Sequence, residues 1–290
     1  MMRITLLTAL AMLAFAANSI LNRAAVGAGH IEAADFALIR VVAGAVTLAA
    51  LALVTKRAMH VLKPARAWGT LTLSLYLIGF SAAYLTLDAG LGALILFGGV
   101  QITMFAGAAL AGDPLPPRRW IGAGLAFGGL LWLLWPTGTI AVPFVAGVSM
   151  CVAALGWGLY SLAGRGSNDP LADTAANFLL AVPICGLAVL LTPSEAQGMA
   201  TNATGLTLAI LSGAVTSGLG YALWYRLLPQ LGASTGGLVQ LSVPVIAVIG
   251  GIVLLSEPPS LRLIGAGILV IGGIAYGLGA FQRKIGSSGS

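Results

Sequence analysis

Long apolar runs follow one another along the whole chain, and each is cut from the next by proline, glycine or charge. A membrane-crossing helix needs about 20 mostly apolar residues, and the runs meet that length repeatedly. Ten spans are predicted: Ile4–Asn22, Phe36–Thr55, Trp68–Leu87, Leu91–Ala111, Trp120–Trp135, Phe144–Ala163, Thr174–Leu191, Leu206–Leu228, Ala233–Leu255 and Leu261–Phe281. Only 8% of the 290 residues are charged and 59% are apolar, where a soluble chain carries about 25% charge. Lipid can solvate that much apolar surface and water cannot. The expectation is an all-α integral membrane protein. Met1 to Leu21 is read as the first span rather than a removed signal, because it runs straight on into further apolar sequence. The glycine- and serine-rich tail, residues 285–290, is read as an appended linker.

Charge orients the spans. With the N-terminus in the cytoplasm, the reading places Arg3, Lys56, Arg57, Lys63, Arg66, Arg118, Arg119, Arg165, Arg262, Arg283 and Lys284 on the cytoplasmic side. Arg23 and Arg226 fall on the opposite side, and Arg40 lies inside the second span. This bias predicts both termini in the cytoplasm and an even number of spans. The bases sit in short connections, not in a patch, which speaks against a nucleic-acid partner. Cys151 and Cys185 lie within apolar runs and read as small core residues.

The two halves, residues 1–140 and 141–284, echo each other weakly. Val100-Gln101 matches Val239-Gln240, Asp113-Pro114 matches Glu257-Pro258, and Ile121-Gly122-Ala123-Gly124 matches Ile264-Gly265-Ala266-Gly267. Five spans per half is an odd number, so the second half enters the membrane from the opposite side. Inverted repeats of this kind enclose a site near the midplane and rock around it.

Asn18-Ser19, Arg40, Trp157-Gly158-Leu159-Tyr160 and the stretch from Pro244 to Glu257 occur in an order and spacing that resembles the drug/metabolite transporter superfamily. The closest likeness is to ten-helix members made of two EamA-type repeats, most similar to the bacterial aromatic amino-acid exporter branch. The resemblance implies a multi-pass transporter of the bacterial inner (plasma) membrane. It works by alternating access on a small-molecule solute, with the lipid bilayer as its other partner. The first repeat departs from the pattern: its fourth span has no proline to match Pro244 and reads as shorter.

Several polar and aromatic residues then become candidates for a central cavity: Gln101, Trp157, Tyr160, Gln240, Tyr84, Tyr221, Trp224, Asn18 and Ser19. Amides in hydrocarbon are costly without partners or a wet cavity, and Gln101 and Gln240 occupy matching places in the two repeats. The competing reading is interhelical hydrogen bonding and interfacial aromatic belts. Thr70, Ser74, Ser81 and Asp88 are expected on one face of the third span, and Thr207, Ala214, Ser217, Tyr221 and Trp224 on one face of the eighth. Arg40 is placed about one turn from its helix entrance, where it can snorkel to water, and a structural or gating role is favoured over substrate contact. Asp88 is expected at the outer end of the third span. Glu257 and Asp113 are expected in cytoplasmic loops, as solvated charges or as gating partners of Arg262 and Arg118. Gly124-x-x-x-Gly128 and Gly273-x-x-x-Gly277 are expected to bring helices together, and a monomer is favoured over a dimer.

Enzyme readings fail on inventory. His30 and His60 fall in loops, no pair of aspartates lies within a span, and no phosphate-binding loop occurs. No metal or cofactor is expected. The commitment is a secondary transporter exporting amino acids, aromatic or other neutral ones, or similar small metabolites. The absence of a carboxylate inside the first and sixth spans predicts uniport-like export without an obligatory proton. A multidrug or nucleotide-sugar-like carrier and a non-transporting scaffold are the alternatives.

Overall fold

The computed structural model describes residues 2–64, 66–112, 115–135, 142–164, 167–192 and 201–278, and leaves out the side chains of 232–238. Asp113, Arg165, Arg283, Lys284 and the tail 285–290 therefore lie outside the described residues. Among the described residues the secondary structure is entirely helical. The helices are α1 (Met2–Asn22), α2 (Ala33–Val54), α3 (Arg66–Ala83), α4 (Ala89–Leu110), α5 (Pro117–Leu134), α6 (Phe144–Ala163) and α7 (Pro170–Leu191). They continue with α8 (Ala203–Leu211), α9 (Gly220–Gln240), α10 (Ser242–Leu255) and α11 (Leu261–Leu278). Two wide π-type stretches interrupt this series, Arg23–Gly27 after α1 and Ser212–Leu219 joining α8 to α9. Seven of the helical rods are long and apolar enough to cross a membrane.

Local chemistry sets the helix starts. Asp169 accepts a hydrogen bond from the Ala172 amide at 3.2 Å, with Pro170 at the first helical position of α7. Asn202 does the same for Gly205 at 3.0 Å at the start of α8. Both satisfy amides that the helix itself leaves without partners.

Several boundaries differ from expectation. Helix α3 stops at Ala83, four residues short, because Arg23 takes the Tyr84 and Leu85 carbonyls at 3.3 and 3.2 Å and so caps the helix end with a cation. Asp88 consequently stands at the start of α4 and not on the face of α3. Helical backbone continues through the expected break after Leu228 as far as Gln240. The break comes instead at Leu241, which puts Pro244 in the first turn of α10, where its missing amide costs no helical bond. Helix α4 has no proline and runs unbroken for 22 residues against 14 for α10, so the expectation that the first-repeat helix is the shorter one is reversed.

Two ends of the bundle can now be told apart. At one, Glu257 reaches Ala89 and Arg23, Arg262 donates to the Trp132 and Trp135 carbonyls at the end of α5, and the Asn202 amide donates to the His30 carbonyl at 3.1 Å. At the other, Arg57 pairs with Asp169 at 3.0 Å and Arg66 with Asp173 at 2.7 Å. Glu257 and Arg262 thus share an end with Arg23, which corrects their placement in cytoplasmic loops. The α8–α9 rod runs from that end past Tyr221 and Trp224, which carries Arg226 to the other end. The alternation of the connections moves these two residues. Arg3, Lys56, Arg57, Lys63, Arg66, Arg118, Arg119 and Arg226 then share one end, against Arg23 and Arg262 at the other. The asymmetry of basic charge is kept.

The core is apolar and aromatic, with Phe36, Phe80, Tyr84 and Phe178 essentially unexposed. Helices α5 and α11 meet through glycine. A β-carbon at Gly273 would lie 2.8 Å from the Gly122 carbonyl oxygen, which only a residue without one avoids. Gly124 and Gly128 face open space, so of the two expected glycine pairs only Gly273 and Gly277 pack inside the chain, and they do so against Gly122. Overpacking of such a contact costs about 1–3 kcal/mol. Gly273→Leu is therefore expected to lower the thermal midpoint of the detergent-solubilised protein, while Gly128→Leu leaves it at the wild-type value; fluorescence-detected unfolding measures both.

Candidate functional site

A cavity of about 930 Å³ opens at the end marked by Lys63, Arg66 and Arg119 and reaches into the middle of the bundle. Helices α3, α4, α5, α6, α7, α9 and α11 contribute to its wall. Gln101 from α4 and Gln240 from α9 line it together with Trp157 and Tyr160 from α6 and Trp224 from α9. These five candidates share one space. Asn177, Thr174 and Tyr225 join them; none was singled out in the sequence. Tyr160 donates to Thr174 at 3.3 Å, Asn177 Nδ2 donates to Tyr160 at 3.5 Å, and Asn177 Oδ1 is buried without a partner among the described residues. The interior thus offers aromatic faces and neutral amides, the Asn177 acceptor among them.

The mouth is charged. Arg66 Nη2 donates to Asp173 Oδ1, and Ser167 donates to Asp173 Oδ2 at 2.6 Å, which ties the start of α3 to the start of α7. Lys63 and Arg119 stand beside this pair, so bases outnumber acids around the entrance.

Aromatic rings close the inner end. Trp157 lies 4.9 Å from Tyr76, 5.1 Å from Tyr221 and 5.5 Å from Tyr160, centroid to centroid. Phe15 packs edge-on against both Tyr221 and Trp224. From Tyr76 the rings continue along α3 to Phe80 at 5.3 Å and Tyr84 at 4.9 Å. Positions 76, 80 and 84 follow a four-residue spacing, a stripe that the sequence displays and that a search for polar faces passes over. Behind this floor a second void of about 20 Å³ is lined by Asn18, Ser19, Tyr221 and again Trp157, room for about one water.

The remaining candidates lie beyond the cavity. Asn18 Oδ1 accepts from Ser212 at 2.8 Å and from Thr216, which binds α1 to the wide stretch before α9. Ser217, Tyr221 and Trp224 share a buried face, but Thr207 is exposed. The wide turns between them insert extra residues and rotate α8 out of the predicted register. Tyr84 is fully buried and donates to the Ala89 carbonyl at 3.3 Å. Pro244 is buried in α10 and lines neither space. Arg40 has no exposed surface at all, which overturns the expectation that it snorkels. It lies about two turns into α2, too deep for its side chain to reach the interface.

The end opposite the mouth is sealed by a carboxylate. Ser256 takes a left-handed conformation (φ 55°), and the Glu257 amide returns to the Gly251 carbonyl at 3.1 Å. This cap turns the Glu257 side chain onto the first amide of α4, where Ala89 donates to Oε1 and Oε2 at 2.8 and 3.0 Å. Arg23 stands 3.6 Å from Glu257 and 3.5 Å from Asp88 and ties both to α1. Negative charge at a helix N-terminus is favourable.

Burial lifts the Glu257 carboxyl above its ordinary pKa; Asp88 pushes the same way, while the Ala89 and Gly90 amides and Arg23 pull it back. A charge-assisted hydrogen bond contributes about 1.5–3 kcal/mol. Glu257→Ala is expected to lower the thermal midpoint and to expose a cysteine placed at buried Ser81 to a membrane-impermeant maleimide. In the native background that labelling should increase as the pH falls from neutral into the mildly acidic range, since protonation removes the charge that holds Arg23. Glu257→Gln should abolish the pH dependence.

Residues 145–277 match the model of the EamA-like transporter family. An uncharacterized protein of Pseudomonas aeruginosa is 47% identical over 275 residues, covering 94% of this chain and 93% of that one. A solved crystal structure superposes with a TM-score of 0.69 over 99% of both chains at 20% identity, which shows a common fold. Helices, cavity and sequence kinship agree: the chain belongs to the EamA-like transporter family, within the drug/metabolite transporter superfamily.

Proposed function

We propose that the protein is a secondary transporter that exports amino acids, aromatic or other neutral ones, or similar small metabolites by alternating access. One observation carries the reading: the cavity is open at the base-rich end and shut at the other by a ring floor and the Glu257 seal. Under the positive-inside rule the base-rich end is cytoplasmic, so this is the state that loads solute from inside a bacterial cell's inner membrane. The two five-helix halves, 1–140 and 141–284, are the units that rock against each other. Gln101, Trp157, Tyr160, Trp224 and Gln240 form the binding site, with Asn18, Ser19, Tyr84 and Tyr221 along the path beyond. Asp88 and Glu257 belong to the outer gate, and Pro244, at the opposite end of α10, has a gating or structural role where that helix begins. The aromatic wall with neutral amides favours a partly apolar, net-neutral solute over a lipophilic cation or a bulky sugar nucleotide. The six described acids lie at helix ends or in connections, so uniport-like export needs no proton.

Trp157→Ala and Gln240→Ala are expected to reduce counterflow of labelled neutral amino acids in proteoliposomes at least about tenfold, the loss of one good contact, with membrane insertion intact. Wild-type rates with both variants would move the site elsewhere. An imposed pH gradient alone should drive no uphill movement; uphill movement that Asp88→Asn abolishes would make Asp88 a coupling site. Orientation is checked by a cysteine at Thr55, expected to label only from the cytoplasm, and one at Thr201, expected to label only from outside.

A further inference from the structure

Among the described residues Arg40 is the charged side chain with no exposed surface, deep within the bundle, and what surrounds it is neutral. Its Nε donates to Ser217 at 3.1 Å and its Nη2 to the Tyr76 hydroxyl at 2.8 Å. Its third nitrogen, Nη1, is buried and makes no hydrogen bond of ordinary geometry among the described residues, although Tyr221 also stands against the guanidinium. The guanidinium carbon lies 5.2 Å from the Tyr76 ring centroid and 4.9 Å from that of Phe80. Ion pairs join Arg23, Arg57 and Arg66 to acids at the two ends, and among the described residues no ion pair includes Arg40.

A desolvated cation without a counter-charge is expensive, and cation–π contact together with two neutral acceptors offsets only part of that cost. Residues that merely held α2 against α3 and α9 would do so at lower cost without the charge. The arrangement has the properties of an empty anion site. A planar fork has one arm unused. Tyr76 accepts from Nη2, and its hydroxyl, beside Tyr221 while the floor is shut, can donate to a solute once the rings part. Two rings hold the plane in place. Tyr76, Tyr221 and Trp157 separate this group from the cavity and together form the floor of that cavity.

We infer that Arg40 is the docking point for the carboxylate of the transported solute, reached when the ring floor parts. This rests on the transport reading above and narrows it to solutes that carry a carboxylate beside an apolar body. In the state with the floor shut, the body of the solute lies among Trp157, Tyr160 and Trp224. When the floor opens, the carboxylate exchanges water for Nη1 and the Tyr76 hydroxyl, a gain available only to a solute with that group. A free amine finds no carboxylate at this depth and meets only neutral acceptors. The carboxylate is therefore the charge that selects.

The test compares phenylalanine with phenylalaninamide, which lacks the carboxylate, in counterflow with purified protein in proteoliposomes. Wild-type protein should prefer phenylalanine, and Arg40→Gln should lower the ratio of the two rates about 10- to 100-fold, the loss of one or two charge-assisted hydrogen bonds. Arg40→Lys, which keeps the charge without the fork, should fall between. An unchanged ratio in Arg40→Gln overturns the inference, while a transporter inactive on both solutes in the wild type overturns the transport reading instead. Benzoate then decides Arg40 independently of transport. It should raise the thermal midpoint of wild-type protein in detergent and not that of Arg40→Gln or, if that variant does not fold, should raise that of Arg40→Lys by less than that of wild type. A benzoate shift equal in wild type and variant, or one matched by chloride at the same concentration, also overturns the assignment.

Discussion

A polar group inside lipid has no water to turn to, so each one in this bundle must find its partner in another helix or in a cavity. That constraint shapes the interior more than apolar contact does, because lipid already solvates apolar side chains. Asn18 gathers Ser212 and Thr216, Asn22 donates to Ser81 at 3.1 Å, and Arg40 reaches α3 and the wide stretch before α9. These bonds join α1, α2 and α3 to the α8–α9 rod and so fix the shut half of the molecule. The open half carries few such ties. Its walls are aromatic, and its amides face a space that solvent can enter.

The two ends are closed by different physics. At the mouth, Arg66–Asp173 joins the starts of α3 and α7 at 2.7 Å, with Arg66 only 8% exposed. The more exposed Arg57–Asp169 joins the end of α2 to the start of α7, a pair of the kind that contributes about 0–1 kcal/mol. At the other end, Glu257 sits on the dipole of α4 and shares Arg23 with Asp88, with its side chain only 10% exposed. Both ends are tied by charge, and the ring floor between them is what leaves one end open to the cavity and the other shut off from it.

Composition and span length made the membrane fold readable, and the matching Gln101 and Gln240 pointed to a shared interior. The errors have particular causes. Arg226 and Arg262 were assigned to the wrong ends, and Glu257 with Arg262, because a count of charges is blind to an exchange of one base for another between the last connections. Arg40 looked close to the interface because its helix start was set at Phe36, whereas α2 begins at Ala33 and the guanidinium turns inward. Tyr76 and Asn177 were missed for another reason. A single tyrosine or asparagine in an apolar run has the same spacing whether it faces lipid, a neighbouring helix or a cavity, and only the packing of seven helices decides. Thr207 was misplaced because a wide turn has no composition of its own.

That wide turn, Ser212–Leu219, has a mechanical consequence. A π-type turn stores one more residue than the α-helix around it, like a dislocation in a crystal row. A dislocation can travel: each residue it passes turns by about 100° about the helix axis while the rod keeps its continuity. Ser217, which holds Arg40 Nε, lies inside the stretch, and Tyr221 lies just past it. Movement of the defect by a single turn would rotate these contacts off the guanidinium and break no covalent or end-to-end connection, so a large change in the interior can accompany a small change in the outline of the molecule.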